Sequence, residues 1–302
     1  MKSQPDELFG SARIKIDPNL NLDHVVGQPE AVLVLRDLVR RLKHPEVYAL
    51  WGLDKPKAIA LTGPTGCGKS MTLRAMANEV TSPLVEMRYE DFASHLYDDA
   101  VQKLSQFKEY TEALSDQFGH VLIFVDEADV FFQSRFDVNT HSSDNKKTNF
   151  FLRWIDGDLE GSSNFTFLAS SNAWESIDPA MRRPGRFTKV EFKNLSAKDI
   201  LKCLEVHLVL LSKKLDRCIV SFELEEFASL EPCVPKELSG AGVKELLDKV
   251  VGEKAQSLLD RVLGNDSIDS ILEEVDMISL EDLRKVLLAF KAKDTTRRGP
   301  GF

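Results

Sequence analysis

An eight-residue loop with the pattern GxxxxGK[ST] constrains this chain more than any other segment. It runs from Gly63 to Ser70, between the apolar run 58–62 and a helical pattern over 71–80. Glycines let the backbone curl until its N–H groups face phosphate oxygens, and the following helix directs its positive end to the same place. The order of strand, glycine loop and helix therefore predicts a phosphate-binding site in an α/β fold.

The residues of this loop have separate predicted tasks. Lys69 is expected to reach the β- and γ-phosphates of a nucleoside triphosphate, and the Ser70 hydroxyl to bind Mg²⁺. The other residues are expected to bind the nucleotide mainly through their backbone. The predicted nucleotide-binding set here is Gly63, Pro64, Thr65, Gly66, Cys67, Gly68, Lys69, Ser70 and Met71.

Polar residues at the ends of two later apolar runs complete the predicted chemistry. Asp126 follows the run 121–125 and can orient the water shell of Mg²⁺, while Glu127 can polarise a water for attack on the γ-phosphate. Acidic residues also favour a helix N-terminus, which is the structural alternative for this pair. Asn172 follows the run 165–170 and is predicted to hold the attacking water or sense the γ-phosphate, unless it is an ordinary turn residue.

The order of apolar runs predicts a P-loop NTPase fold, with a parallel sheet between helices and a smaller all-helical lid domain after it. Continuous apolar runs are typical of parallel strands that helices cover on both faces. Strands are predicted at 58–62, 84–87, 121–125, 165–170 and 189–192, and a polar loop at 133–148. Helical periodicity replaces strands after Asn194. The predicted domains are a flexible leader over 1–20, an α/β domain over 21–193 and a helical lid domain over 194–302 with a short basic tail.

Composition excludes several classes of protein. The formal charge is −9, from 48 acidic and 39 basic residues. This balance disfavours a nucleic-acid partner because no broad cationic field is available. No apolar run approaches the ~20 residues of a membrane span, and the N-terminus has no signal-peptide pattern. We therefore expect a cytoplasmic protein without a membrane span. The four cysteines have no CxxC spacing, which argues against a zinc site.

Five further motifs along the chain carry a family resemblance when they are taken together. They are Asp23-His24-Val25-Val26-Gly27, His44-Pro45-Glu46-Val47-Tyr48, Asp156-Gly157, Arg183-Pro184-Gly185-Arg186-Phe187 and Ser239-Gly240-Ala241. With these motifs the chain resembles the classical AAA family of ATPases, the branch that includes membrane-protease, Cdc48-type and proteasomal ATPases. The resemblance extends from about Leu22 to Leu247.

The resemblance implies hydrolysis of ATP with Mg²⁺. The residues that it identifies as catalytic are Glu127, Asn172, Arg183 and Arg186. The residues that it adds to the nucleotide-binding set are Val26, Gly27, Asp126, His207, Gly240 and Ala241. It assigns Ser70 and Asp126 to the binding of Mg²⁺. The two arginines resemble arginine fingers, which act on the nucleotide of a neighbouring subunit. Surface arginines held in ion pairs are the alternative. Fingers acting between subunits imply a homo-oligomeric ring, and the family implies a hexamer.

The resemblance also implies a role in protein remodelling, although the substrate-gripping loop of this chain departs from the family pattern. The family couples hydrolysis to remodelling, unfolding or disassembly of a protein substrate, bound directly or through an adaptor. An ATP-gated scaffold or slow regulatory ATPase is the alternative function. The substrate-gripping loop of the family aligns with Leu96-Tyr97-Asp98, where an aspartate replaces a glycine. Tyr97 therefore either contacts substrate or lies on a helix surface. We expect a motor module without a substrate-recruiting N-terminal domain or a zinc-protease motif.

Overall fold

The computed structural model describes residues 18–92, 97–133, 142–157, 164–236, 238–263 and 277–297. These residues form two compact units. One contains the described residues up to Thr65 together with Lys69–Lys193, and the other contains Gly66–Gly68 together with those from Asn194 onward. Most of the predicted leader lies outside the described residues, as does Leu96 of the predicted substrate-gripping loop.

The first unit, here called the α/β unit, is built on a parallel sheet. Its described strands are β1 (Ala58–Thr62), β2 (Leu84–Met87), β3 (Val121–Val125), β4 (Phe165–Ser171) and β5 (Phe187–Glu191). They pair in the order β2-β3-β4-β1-β5, and each pairing is parallel. The predicted strands are confirmed, although β4 extends one residue further and β5 begins two residues earlier and ends one earlier than predicted.

Burial follows the position of each strand in the sheet. β1, β3 and β4 are buried along their whole length, which explains their continuous apolar sequences. β5 lies at one edge and mixes buried with exposed positions. The predicted fold class, a parallel α/β sheet of the P-loop NTPase kind followed by helices, is confirmed.

The helices of the α/β unit connect these strands. They are α1 (Pro29–Lys43), α2 (Pro45–Ala49), α3 (Lys69–Val80), α4 (Tyr89–Phe92), α5 (Tyr97–Phe118), α6 (Ala128–Phe131) and α7 (Ser142–Asp156), with short 3₁₀ turns at Leu22–His24 and Trp174–Ser176. The prediction of a polar loop over 133–148 was wrong from Ser142 onward. Phe151, Trp154 and Ile155 of α7 are buried in the core. Lys147 and Thr148, which come earlier in the same helix, are also buried. Packing of its apolar end therefore makes the polar beginning of α7 helical.

Aromatic rings fill the core around α6 and α7. Phe131 and Phe132 contact Phe151 with ring centroids 5.3 and 5.0 Å apart, both edge-to-face. Phe151 in turn contacts Phe167 of β4 at 5.8 Å. Edge-to-face aromatic pairs contribute about 0.5–1.5 kcal/mol each beyond their buried area. This packing holds the short α6, which directly follows Glu127, against the centre of the sheet.

The second unit, here called the helical unit, contains α8 (Ala197–Leu215), a 3₁₀ segment (Leu224–Cys233), α9 (Gly240–Leu263) and α10 (Leu280–Arg297). A capping box begins α8, because Ser196 Oγ accepts from Asp199 N at 3.2 Å and Asp199 Oδ2 accepts from Ser196 N at 2.9 Å. Ser279 and Asp282 cap α10 in the same way. Among the described residues, no helix combines the length and the apolar character needed to cross a bilayer.

His120, which precedes β3, makes folding of the α/β unit sensitive to acid. The side chain is buried, and neither ring nitrogen has a hydrogen-bond partner among the described residues. Burial, with a smaller effect of the Lys55 charge, lowers the pKa of His120 to about 4. The unfolded chain therefore binds the proton first, so the stabilising contribution of neutral His120 is complete above about pH 6.5 and is lost as the pH falls toward 4.

We expect the unfolding free energy of the protein to fall by about 2 kcal/mol more between pH 7.5 and 5 than that of His120→Leu, which has nothing to protonate at this position. Urea denaturation at a series of pH values measures the difference. Thr111→Val is the control, because Thr111 is also buried but has no group that titrates between pH 5 and 7.5, so its replacement should leave the pH dependence close to that of the unchanged protein. Parallel pH profiles for the protein and His120→Leu would contradict this account.

Candidate functional site

The pairing order brings three chain segments to one edge of the sheet. β4 lies between β1 and β3, with Thr62 level with Ser171 and Ala169 level with Val125. The carboxyl ends of parallel strands share one edge, where ligands of open α/β sheets bind. The glycine loop after β1, Asn172 after β4 and Asp126 after β3 are therefore neighbours at this edge.

Gly63, the first residue of the loop, packs directly against backbone. Its φ is +145°, and a Cβ atom placed here would lie 2.3 Å from the carbonyl oxygen of Phe192. Its N–H donates to the carbonyl of Ser171 at 3.2 Å. A side chain is excluded at this position by contact with backbone as well as by conformation, so the loop begins in a single direction.

Lys69 is the buried centre of the loop. Only 7% of the residue is exposed. Its Nζ donates to the carbonyls of Gly63 and Pro64 at 2.7 Å each and to Asn172 Oδ1 at 2.8 Å. Lys69 is also the first residue of α3, so its ammonium group lies close to the start of that helix. The structure thus joins the predicted phosphate-binding lysine to the predicted sensor residue.

Ser70 and Asp126 form a pair of oxygen donors. Ser70 Oγ lies 3.4 Å from both carboxylate oxygens of Asp126. Asp126 Oδ1 also accepts hydrogen bonds from the Ser170 hydroxyl and, at 3.1 Å, from the N–H of Glu127. Sequence reasoning did not assign Ser170 to the site, because only the register of β3 against β4 places it beside Asp126.

Glu127 occupies a strained position with an unengaged side chain. Its φ and ψ are both 49°, the left-handed helical region, which costs a residue with a Cβ roughly 1–2 kcal/mol. It is the N-cap residue of α6, yet its side chain makes no capping hydrogen bond. The Glu127 carboxylate is exposed and makes no hydrogen bond to the N-terminus of α6. Such strain is characteristic of functional positions.

A carboxylate that sequence reasoning missed holds the segment after β4. Asp129 Oδ1 on α6 accepts a hydrogen bond from the backbone N–H of Asn172 at 3.2 Å. Ser171 Oγ accepts from the N–H of Ala173 at 3.1 Å. These contacts fix the backbone from which the Asn172 amide reaches Lys69. Asp129 lies three residues after Asp126, and its role was not visible in the motif.

The two predicted finger arginines differ in their surroundings. Arg186 binds Asp156 through two parallel hydrogen bonds, Nε to Oδ1 at 2.9 Å and Nη2 to Oδ2 at 2.7 Å. Asp156 belongs to the Asp-Gly motif at the end of α7. Arg183 is exposed and makes no hydrogen bond or ion pair through its side chain with any described residue. Within one chain, Arg186 therefore satisfies the ion-pair alternative and Arg183 does not.

Val26 and Gly27 lie between the first 3₁₀ turn and α1, and are held by the residue that follows them. Gln28 Nε2 donates to the Lys193 carbonyl at 2.7 Å, and Gln28 Oε1 accepts from the Lys193 N–H at 2.9 Å. Lys193 follows Phe192, whose carbonyl contacts Gly63. This pair of hydrogen bonds connects the segment that contains Val26 and Gly27 to the start of the loop.

The remaining predicted residues lie in the helical unit. Gly240 and Ala241 begin α9, and the N–H of Ala241 donates to the carbonyl of Gly66, a residue of the same unit, at 3.3 Å. His207 is half-buried on α8. Burial lowers the pKa of His207, the Lys244 charge lowers it further, and Asp248 opposes both. The imidazole is therefore neutral near pH 7. Of Tyr97, the structure describes only its place at the start of α5.

Comparison with known proteins agrees with this geometry. The pattern of the "ATPase family associated with various cellular activities (AAA)" matches residues 59–195, from β1 to the end of the α/β unit. Residues 59–195 are therefore similar in sequence to the ATPase domain of the AAA family. The matched region includes the loop, Asp126, Glu127, Asn172 and both predicted finger arginines.

Three curated relatives are similar to most of this chain. The Cell division cycle protein 48 homolog of Archaeoglobus fulgidus is 29% identical over 88% of the chain and 34% of its own length. The Proteasome-activating nucleotidase of Pyrococcus abyssi is 27% identical over 82% of the chain and 63% of its own length. The "Probable inactive ATP-dependent zinc metalloprotease FTSHI 1, chloroplastic" of Arabidopsis thaliana is 27% identical over 86% of the chain and 27% of its own length. The chain thus spans between about a quarter and two thirds of these relatives.

Gly63→Ala is expected to destabilise the α/β unit strongly, because the new methyl group would collide with the Phe192 carbonyl. Gly119→Ala is the matched control: Gly119 also has a positive φ, +79°, but nothing lies within 4 Å of the added Cβ. We expect a loss of about 1–2 kcal/mol for Gly119→Ala, from backbone strain alone, and a clearly larger loss for Gly63→Ala. Urea denaturation measures both. Equal losses would show that the close approach at Gly63 is not as described.

Proposed function

We propose that this chain is a Mg²⁺-dependent ATPase that works in a ring, a hexamer by family, and uses ATP hydrolysis to remodel, unfold or disassemble a protein substrate. The observation that carries the hydrolytic part is the arrangement at the carboxyl edge of the sheet. Lys69 is bonded to Asn172, Ser70 faces Asp126, and the strained Glu127 beside them presents an unengaged carboxylate. Binding and hydrolysis each have a candidate residue there.

The donor set at Ser70 and Asp126 fits Mg²⁺. Mg²⁺ prefers hard oxygen ligands, and it is usually held by one or two protein oxygens with phosphates and waters completing an octahedron. A hydroxyl and a carboxylate 3.4 Å apart at the start of α3 supply such oxygens. When bound, Mg²⁺ would neutralise charge on the phosphate oxygens during hydrolysis.

The protein residues divide the remaining tasks. The Lys69 ammonium exchanges its carbonyl partners in the loop for phosphate oxygens and so neutralises the charge of the bound nucleotide. The Glu127 carboxylate accepts a proton from the attacking water, a role that requires a side chain without competing partners. The Asn172 amide, held by Lys69 and by the Asp129 contact to its backbone, orients that water or the γ-phosphate.

The arginines support action between subunits. Arg183 is exposed and makes no ion pair among the described residues, so a neighbouring subunit's nucleotide can engage it at little cost. Arg186 would have to leave Asp156, or act through it. We therefore assign the finger first to Arg183. The lid role of His207, Gly240 and Ala241 belongs to the same proposal, as do the domain limits 21–193 and 194–302.

The protein substrate is inferred from the relatives. One is named as an activator of the proteasome and another as a homolog of a cell-division-cycle protein. Asp98, which replaces the glycine of the family's substrate-gripping loop, supports the second candidate, a scaffold or regulatory ATPase with slow hydrolysis. Measured hydrolysis separates the two candidates.

Glu127→Gln should reduce ATP turnover by about 10²–10⁴-fold, because the amide cannot accept the proton, while nucleotide binding should persist. Steady-state phosphate release and binding of a fluorescent ATP analogue measure the two properties. Glu109→Gln on α5 is the control, since it removes an exposed carboxylate away from the sheet edge and should leave turnover unchanged. Turnover that survives in Glu127→Gln would refute the catalytic assignment. An unmodified protein that binds ATP without hydrolysing it would favour the scaffold.

Arg183→Ala subunits mixed with unmodified subunits should depress ATPase activity by more than dilution, because each altered subunit impairs the site of its neighbour. The measurement is activity against the fraction of altered subunits at constant total protein. Arg153→Ala, which removes an exposed arginine from α7, is the control and should give a flat line. A strictly proportional loss with Arg183→Ala would argue against action between subunits.

A further inference from the structure

We propose that Ser170 is a positioning residue for Asp126: its hydroxyl holds Oδ1 of that carboxylate so that Oδ2 is presented to the Mg²⁺ site beside Ser70. The inference rests on the proposed function, since it concerns the metal that accompanies ATP. It assigns a role to a side chain that belongs to none of the nucleotide-binding motifs. The two groups concerned are the Ser170 hydroxyl on β4 and the Asp126 carboxylate directly after the neighbouring strand β3.

The sheet register makes this contact inevitable. Ser170 lies in β4 and is 3% exposed. It is level with Leu61 of β1, and the preceding residue, Ala169, is level with Val125, the last residue of β3. The residue after Val125 is Asp126. Ser170 is therefore the β4 residue at the height of Asp126, and its hydroxyl donates to Asp126 Oδ1.

The two oxygens of Asp126 have different partners as a result. Oδ1 accepts from the Ser170 hydroxyl, from the Glu127 N–H at 3.1 Å and, at the limit of hydrogen-bonding distance, from Ser70 Oγ at 3.4 Å. A carboxylate oxygen has about two lone-pair sites, so Ser170 and Glu127 occupy those of Oδ1. Among the residues that the structure describes, only Ser70 Oγ contacts Oδ2, at 3.4 Å. The free acceptor capacity of Asp126 is therefore on Oδ2, facing the hydroxyl proposed to bind Mg²⁺.

Ser170 is suited to this task because it is itself immobile. Asp126 is exposed, so its side chain would sample several rotamers without a fixed partner. Ser170 sits on a central strand that is buried along its whole length, and a hydrogen bond to a carboxylate is stronger than one between neutral groups. Outer hydrogen-bond partners of metal ligands typically change metal affinity by about 10–100-fold.

A purely structural hydroxyl would behave differently. Replacement of such a group changes the unfolding free energy but leaves the Mg²⁺ dependence of nucleotide binding unaltered. Thr166 provides that comparison within the same strand, because its buried hydroxyl donates to the Pro56 carbonyl at 2.7 Å and lies far from Asp126 in the register. Loss of the Thr166 hydroxyl should affect stability alone.

The test is binding of a fluorescent, non-hydrolysable ATP analogue, titrated with Mg²⁺ and repeated in EDTA. For Ser170→Ala we expect unchanged affinity in EDTA and an increase of about tenfold in the Mg²⁺ concentration that gives half of the Mg²⁺-dependent gain in affinity. Ser170→Thr keeps the hydroxyl and should restore the value to within about threefold, while Thr166→Val should match the unmodified protein. Thermal melting confirms that each variant is folded.

The outcomes distinguish failure of the Ser170 positioning role from failure of the proposed ATPase function. If the unmodified protein binds the analogue with Mg²⁺ and Ser170→Ala shows the same Mg²⁺ dependence, the positioning role is wrong and the ATPase proposal stands. If Ser170→Ala loses affinity equally in EDTA and in Mg²⁺, Ser170 acts on the loop and the positioning role is also wrong. If the unmodified protein shows no Mg²⁺-dependent binding, the proposed function fails and this inference fails with it.

Discussion

The parallel pairing of β4 with both β1 and β3 is the constraint on which the site depends. It brings the ends of three strands, far apart in sequence, within hydrogen-bonding distance of one another. The Lys69 to Asn172 bond spans 103 positions and the Ser170 to Asp126 bond spans 44, yet both follow from one register. Shifting a strand by one residue would turn these side chains to the opposite face of the sheet. The parallel pairing of β4 with β1 on one side and β3 on the other holds this register.

The aromatic core supplies the rigidity that such a site needs. Phe131 and Phe132 anchor α6, and Phe151 and Phe167 join that helix to α7 and β4. Glu127 sits immediately before α6 in a conformation that would relax if the helix were free to move. The packing energy of the rings thus offsets the backbone strain at Glu127, as is common where function requires an unfavourable local geometry.

Much of this arrangement could be predicted because its signals are local. The loop from Gly63 to Ser70 depends on glycines two or three positions apart, and the capping box of Ser196 and Asp199 depends on residues three apart. The apolar runs of β1, β3 and β4 are continuous because both faces are buried. The start of α7 was predicted wrongly because its structure does not depend on local signals. Its first residues are polar, and only the distant contacts of Phe151 and Trp154 make the segment helical.

The amino-acid sequence was enough to predict strands that end in a phosphate-type loop, an acid pair and an asparagine, because a few neighbouring residues specify each of these. The folded structure was needed to show that Asp126 Oδ1 accepts from Ser170 and Glu127, that Asp129 holds the backbone of Asn172, and that Arg186 is paired with Asp156 while Arg183 has no ion-pair partner among the described residues. These facts depend on strand register and on rotamers set by packing between residues distant in the chain. Local pattern carries no information about either, because many registers and rotamers are compatible with one motif.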